Sequence, residues 1–211
     1  MQKNFSNFFH FIFLLPILIL LSCLATTNYY TGRTLLPGKK VVVGGIDNFL
    51  IKDIETGQTV RFGLPYMTSL GFAAGLPRRL ETGLYWHFPE SFETYLRWQA
   101  NPRSFCYFDL SLNSHFGVFA FSYPYIKLGV SLSKEIHGVE PFLNYYVYTN
   151  AKLTEEFKET SRSLGLGIAI PIPRAQLIPE INFSFTGNEI SKGLMMFNVG
   201  LRARVEHKKR N

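Results

Sequence analysis

The chain is poor in cysteine and in charge. Only Cys23 and Cys106 occur in 211 residues, which excludes a disulfide framework as the source of stability. Asp, Glu, Lys and Arg make up 18% of the sequence, below the quarter or so usual in soluble domains, so many side chains need an apolar environment. Metal ligation lacks its pattern, because His115 and His137 have no His or Cys at ligand spacing. No phosphate-binding loop is present: Gly44-Gly45 stands alone, while Gly83, Gly165 and Gly167 follow an alternating pattern with no helix after them. No basic stripe interleaves with stacking aromatics, so nucleic acid is not an expected partner. Nothing calls for a cofactor.

Aromatic residues are abundant instead, at 16% with 20 Phe and 11 Tyr. The N-terminus is set apart from the rest. Lys3 leads into the apolar run Phe8–Leu21, which is broken by Pro16, is too short for a membrane-spanning helix, and ends at the small Ser22. Residues 1–22 read as a cleaved signal peptide.

The tetrad Leu20-Leu21-Ser22-Cys23 resembles the lipobox of bacterial lipoproteins. That resemblance implies cleavage before Cys23, a diacylglyceryl group on its thiol, and handling by the lipoprotein-sorting machinery. Leu24 stands where an inner-membrane retention signal would carry Asp, which implies lipid anchoring in the outer membrane. Cys106 is then left without an intramolecular partner and reads as an apolar wall residue. The formal charge of +7 falls to +6 once Lys3 is removed, with part of it in a basic tail at 207–211.

From residue 64 onward the chain alternates with period two, as half-buried strands do. Leu80, Thr82, Leu84, Trp86 and Phe88 oppose Glu81, Gly83, Tyr85 and His87, and Phe92, Thr94, Leu96 and Trp98 oppose Glu93, Tyr95, Arg97 and Gln99. The pattern recurs at 104–113 and 126–133, then at 139–147, 164–170, 177–185 and 195–205, giving eight strands. Two weaker segments, about 39–48 and 65–75, bring the expected number to ten, with eight and twelve as alternatives. The predicted fold is all-β: an antiparallel up-and-down barrel over residues 39–206, after a lipidated tether at 23–38.

Periodicity alone does not say which face lies inside, but the contents of the polar face do. It carries Glu81, His87, Glu93, Arg97, Asp109, Glu140, Glu180, Arg202 and Arg204 among many Gly and Ser, which suits a narrow packed lumen. The other face is nearly free of charge, and Trp86 and Trp98 are placed to act as interfacial girdles. In this pattern residues 39–206 resemble small bacterial outer-membrane β-barrel proteins, which implies lipid contact at the wall and insertion by the barrel-assembly machinery. Short connections at Pro89-Glu90-Ser91, Asn101-Pro102 and Ile136-His137-Gly138 contrast with longer stretches at 49–63 and 149–160, as in that class. Unlike many of its members, the sequence continues past Val205 into Glu206-His207-Lys208-Lys209-Arg210-Asn211 and does not end on an aromatic residue.

Of catalytic sets, His87 with Glu81 or Glu93 alone merits naming, since the three share a face on adjacent strands. A structural hydrogen bond accounts for it better, and no catalysis is expected. The leading expectation is therefore a structural or surface-interaction role carried by the longer loops. A tethered barrel holding an apolar ligand and a lipid-active enzyme are the alternatives.

Overall fold

A computed structural model describes residues 29–60, 68–88, 91–102, 107–119, 123–150, 161–186 and 193–205. Cys23, Cys106 and the tail at 207–211 lie outside these residues, as does the signal segment. Successive strands are β1 (Lys40–Asp53), β2 (Thr59–Val60), β3 (Thr68–Leu76), β4 (Leu80–Phe88), β5 (Ser91–Gln99) and β6 (Asp109–Phe119). They continue as β7 (Tyr123–Ser133), β8 (Glu140–Asn150), β9 (Ser161–Ile172), β10 (Ala175–Thr186) and β11 (Leu194–Arg204). The two-residue β2 pairs only with Ile51 and Lys52 at the outer end of β1. The other ten form an antiparallel meander that closes where β1 pairs with β11. Closure leaves no strand edge in the wall, so its backbone donors and acceptors are satisfied within the protein, as a lipid environment demands.

The alternation read from the sequence decides the two faces. In β4 and β5 odd-numbered residues point inward and are buried, while even-numbered ones point outward. The outer wall exposes Leu70 (60%), Leu84 (47%), Leu96 (49%), Phe116 (54%) and Leu128 (54%). The interior holds Glu81, Glu93, Arg97 and Lys127 at 0–1% exposure. A water-soluble barrel has the opposite arrangement.

Aromatic rings fill the lumen by lying over glycines. Tyr85, Tyr95, Tyr125 and Tyr146 stand directly across from Gly71, Gly83, Gly117 and Gly129 on neighbouring strands, and Phe142 across from Gly167. A Cβ on Gly83 would fall 2.5 Å from the Tyr95 ring and 2.4 Å from the Phe72 carbonyl oxygen, and one on Gly117 would fall 2.3 Å from the Tyr125 ring. Each ring thus occupies the space that its partner's missing side chain leaves, the pairing known as aromatic rescue.

Residues 29–38 were expected as part of a tether; residues 29–35 run inside the barrel, and 36–38 emerge exposed at its rim. Tyr29 and Tyr30 are 0% and 1% exposed and join Val41, Val43, Tyr85, Tyr95 and Ile178 in the apolar part of the core. The Tyr29 ring covers Gly45 and Gly200, which face each other across the β1–β11 seam. Gly32 passes so close to the Asp109 carbonyl that a Cβ there would lie 2.1 Å from the oxygen. Period-two reasoning assigns no burial to this segment, because it is not a strand.

Two further differences concern the connections. The strand expected at 104–113 is β6, which starts at Asp109 and ends at Phe119, so its inward face includes His115. The division into a short-turn rim and a long-loop rim is also incomplete. The rim bearing Lys40 and Arg204, here the terminal rim, has the tight connections 77–79 and 173–174 but also the longer 100–108. The distal rim has the long connections 54–67 and 151–160 but also the two-residue link 89–90. At the terminal rim, Arg78 (φ 58°), Arg79 (φ 63°), His137 (φ 51°) and Arg174 (φ 65°) sit in the left-handed region, where a residue with a Cβ is disfavoured by roughly 1–2 kcal/mol.

Gly83→Val should lower the unfolding free energy in a urea titration by about 1–3 kcal/mol, the usual penalty of overpacking. Leu84→Val, one residue away on the outer face, should leave the titration midpoint nearly unchanged.

Candidate functional site

Polar side chains meet inside the barrel in two layers separated by tyrosines. Near the terminal rim, the Glu81 carboxylate accepts hydrogen bonds from Arg97 Nη1 (2.9 Å), Arg202 Nη2 (3.1 Å), Tyr95 Oη (3.0 Å) and the Leu35 backbone N–H (2.7 Å). Arg97 spends its remaining donors on Asn113 (3.0 Å), Ser111 (3.2 Å) and the Thr31 carbonyl, and its guanidinium lies 4.6 Å from the Tyr30 ring centroid. One buried cluster therefore ties four strands to the N-terminal segment.

Toward the distal rim, Glu93 accepts from Lys127 Nζ (3.1 Å) and Tyr125 Oη (3.0 Å), and His115 Nδ1 lies 3.1 Å from it. His87 bridges to the next acid. Its Nδ1 is 3.1 Å from Asp47 and its Nε2 is 3.7 Å from Glu93. Asp47 also accepts from Ser69 (3.2 Å) and from Tyr29. The rings of Tyr30, Tyr85, Tyr95 and Tyr146 lie between the two layers, with His115 packed against three of them.

At the mouth of the terminal rim, Asp109 accepts from Gln99 (2.7 Å) and Arg33 (3.0 Å), and Arg33 also pairs with Glu135. Glu140 accepts from Ser133 (2.6 Å), whose hydroxyl accepts the Gly32 N–H (2.9 Å). A basin of about 900 Å³ opens there, bordered by Arg33, Lys39, Lys40, Gln176, Arg202 and Arg204 among others.

Of the residues expected to form a lumen network, Glu81, His87, Glu93, Arg97, Asp109, Glu140, Glu180 and Arg202 are buried inside. They do not form one cluster: Glu81, Arg97 and Arg202 meet, and His87 and Glu93 belong to the other layer. Glu180 faces Gly165 beside Asn182. Arg204 is a correction, because it keeps the inward parity but lies exposed at the last residue of β11, at the mouth of the lumen and outside the network. Trp86 and Trp98 both point outward, at 45% and 42% exposure, and lie near opposite rims.

Sequence reading missed Asp47, His115, Lys127 and the contributions of Tyr29, Thr31 and Arg33. His115 lies beyond the end of the strand expected at 104–113, because β6 runs on to Phe119. Lys127 had the right parity, and a lone cation in the middle of an alternating strand was the available signal. The arrangement gives His87 a carboxylate on each side, and among the described residues no hydroxyl hydrogen-bonds to its ring. It is a positioning and charge-satisfying arrangement of the kind that makes a lumen rigid.

Glu81→Leu leaves two buried guanidinium groups without their counter-charge. It should cost about 3–5 kcal/mol in unfolding free energy and make residues 29–38 susceptible to added protease, since the Leu35 N–H loses its acceptor. Arg204→Ala should leave both readouts unchanged.

No protein-family model matches the sequence, and no curated protein matches it. Among solved structures the chain is similar to one from "De novo design of transmembrane beta-barrels", at 14% identity and a TM-score of 0.35, over 82% of this chain and 100% of that one. It is also similar to one described as "KdgM porin in complex with disordered oligogalacturonate", at 8% identity and a TM-score of 0.38, over 80% of this chain and 99% of that one. The fold of this chain is that of a closed ten-stranded antiparallel barrel, all-β, with its polar face inside.

Proposed function

We propose that this protein is an outer-membrane lipoprotein whose barrel is integral to the bilayer, whose lumen is closed, and whose role is structural or surface-interacting. The observation that carries the reading is the inversion of faces. Leu70, Leu84, Leu96, Phe116 and Leu128 project outward while buried charges satisfy one another inside. Strands of nine to twelve residues, tilted, match the thickness of a hydrocarbon core. Trp86 and Phe88 pack edge to face near the distal rim, 5.4 Å between centroids, and Trp98 lies near the terminal rim, an arrangement that suits two interfacial belts.

The interior supports closure over conduction. Arg97 joins its neighbours on β4 and β6 to the N-terminal segment inside the lumen, and Arg202 reaches Glu81 from β11, so residues 29–35 and the side-chain network act as an internal plug. Acylation at Cys23, six residues before Tyr29, supplies a second attachment in this reading. The longer stretches at 49–63 and 149–160 on the distal rim are the parts left to meet other envelope components. An apolar ligand inside the barrel would have to displace this polar network, which disfavours the carrier alternative.

The mature protein should migrate differently on a denaturing gel with and without boiling, and Cys23→Ala should stay in the membrane fraction through carbonate extraction. A non-shifting protein that carbonate releases would overturn the integral-barrel reading. In planar bilayers the full chain should show no sustained open state; a steady, porin-sized conductance would refute the closed lumen.

A further inference from the structure

The two rims differ in charge. Around the terminal rim, Lys39, Lys40, Arg78, Lys134, Arg174 and Arg204 are exposed, and none of the six forms an ion pair among the described residues. The exposed carboxylate described at this rim, Glu135, is taken by Arg33, while Asp109 and Glu140 are buried within the lumen. At the distal rim the described charges are mixed: Lys52 and Arg162 with Asp53 and Glu55.

The backbone gives a second, independent observation. Arg78 and Arg174 hold their cations in left-handed turns, at φ 58° and 65°. Ala175 pairs with Ile172, so Pro173-Arg174 is a two-residue turn with proline first, in which a positive φ at the second position is ordinarily glycine's. Elsewhere among the described residues positive φ falls on Gly38, Gly57 and Gly138, and on Arg79 and His137 of this same rim. At the turns of Arg78 and Arg174 the chain carries a guanidinium where turn stability alone favours glycine.

The third observation is location. At this rim Trp98 points outward from β5 with 42% exposure, and Tyr107 and Phe108 in the connection before β6 are exposed by 67% and 39%, aromatics of the kind that mark the depth of a headgroup region. Arg78, Lys134 and Arg174 lie at the strand ends just beyond it, where lipid phosphates would be.

We propose that the terminal rim is a docking surface for the phosphate headgroups of an anionic phospholipid leaflet, gripped by Arg78 and Arg174 with Lys134, while Lys39, Lys40 and Arg204 border the lumen mouth beside them. The proposal rests on the membrane-barrel reading and adds the lipid class that one rim selects. Each basic residue near such a surface raises lipid affinity by about fivefold at moderate salt, and the attraction is screened as ionic strength rises.

The chain has only two tryptophans, and they report on opposite rims. Trp86→Phe leaves Trp98 as the probe of the terminal rim, and Trp98→Phe leaves Trp86 as the probe of the distal rim. The full mature chain is placed in phosphatidylcholine vesicles containing a fixed minor fraction of either brominated phosphatidylglycerol or brominated phosphatidylcholine, and fluorescence quenching is read. Trp98 should be quenched several-fold more by the phosphatidylglycerol form, and the excess should vanish in half-molar salt. Trp86 should show no preference. Arg78→Gly with Arg174→Gly should cut the relative affinity for phosphatidylglycerol by about tenfold or more without lowering the urea midpoint, because glycine suits both turns. Equal quenching of Trp98 by the two lipids, or a preference that survives the double glycine variant, would overturn the proposal while leaving the barrel intact. Absence of quenching by either lipid at both tryptophans would instead overturn the membrane-barrel reading, and this proposal with it.

Discussion

Closing β11 onto β1 forces every second residue of ten strands into one enclosed space, and the rest of the structure follows from filling it. A ring of this size is too wide for strand side chains of ordinary length to meet at the axis unless the residues are large, yet neighbouring large residues would collide near the wall. Glycine opposite tyrosine resolves the conflict locally. At Gly83 and Tyr95 one strand gives up its side chain and the next reaches across it. Ring hydroxyls are thereby carried toward the axis, where Tyr95 and Tyr125 donate to Glu81 and Glu93.

Buried charge is tolerable at Glu81 and Glu93 because each of these carboxylates is surrounded by several donors. Glu81 has two guanidinium groups, a phenol and a backbone N–H, while Glu93 has an ammonium, a phenol and two imidazoles nearby. Removing one partner from such a set exposes the desolvation cost of the rest. The same multiplicity fixes which strands lie where, since Glu81 on β4, Arg97 on β5 and Arg202 on β11 converge on a single carboxylate. The N-terminal segment completes the arrangement: it supplies backbone groups, the Thr31 carbonyl and the Leu35 N–H, that no strand can offer because strand backbones are committed to the ladder.

The outer wall obeys a different constraint from the lumen, and the rims differ from both. The wall needs only apolar surface of the right height, whereas the rims carry the turns and exposed charges such as Lys40, Arg78, Arg174 and Arg204. On the terminal rim the backbone is held in strained conformations by cationic residues, while on the distal rim the long connections extend β1 past the point where β3 ends. A molecule with an inert middle and two chemically distinct ends is suited to holding a position in a bilayer and meeting different surroundings on each side.

Much of the barrel was legible from residue order. The parity of Glu81, His87, Glu93 and Arg97, the outward aim of Trp86 and Trp98, and eight of the ten barrel strands follow from period-two alternation, a local property that neighbouring residues express without reference to the rest of the chain. His115 was lost only because the end of β6 was misplaced, and β-strand boundaries are set by turn geometry that the local pattern does not carry. What the sequence by itself determined is therefore which residues face in, which face out, and that the inside is polar. Only the tertiary structure decided which charges meet and that residues 29–35 fill the lumen. Arg202 reaches Glu81 across 121 positions and Asn144 reaches the Tyr30 carbonyl across 114. Contacts so distant along the chain are fixed by the stagger of a closed sheet, which exists only once the last strand has paired with the first.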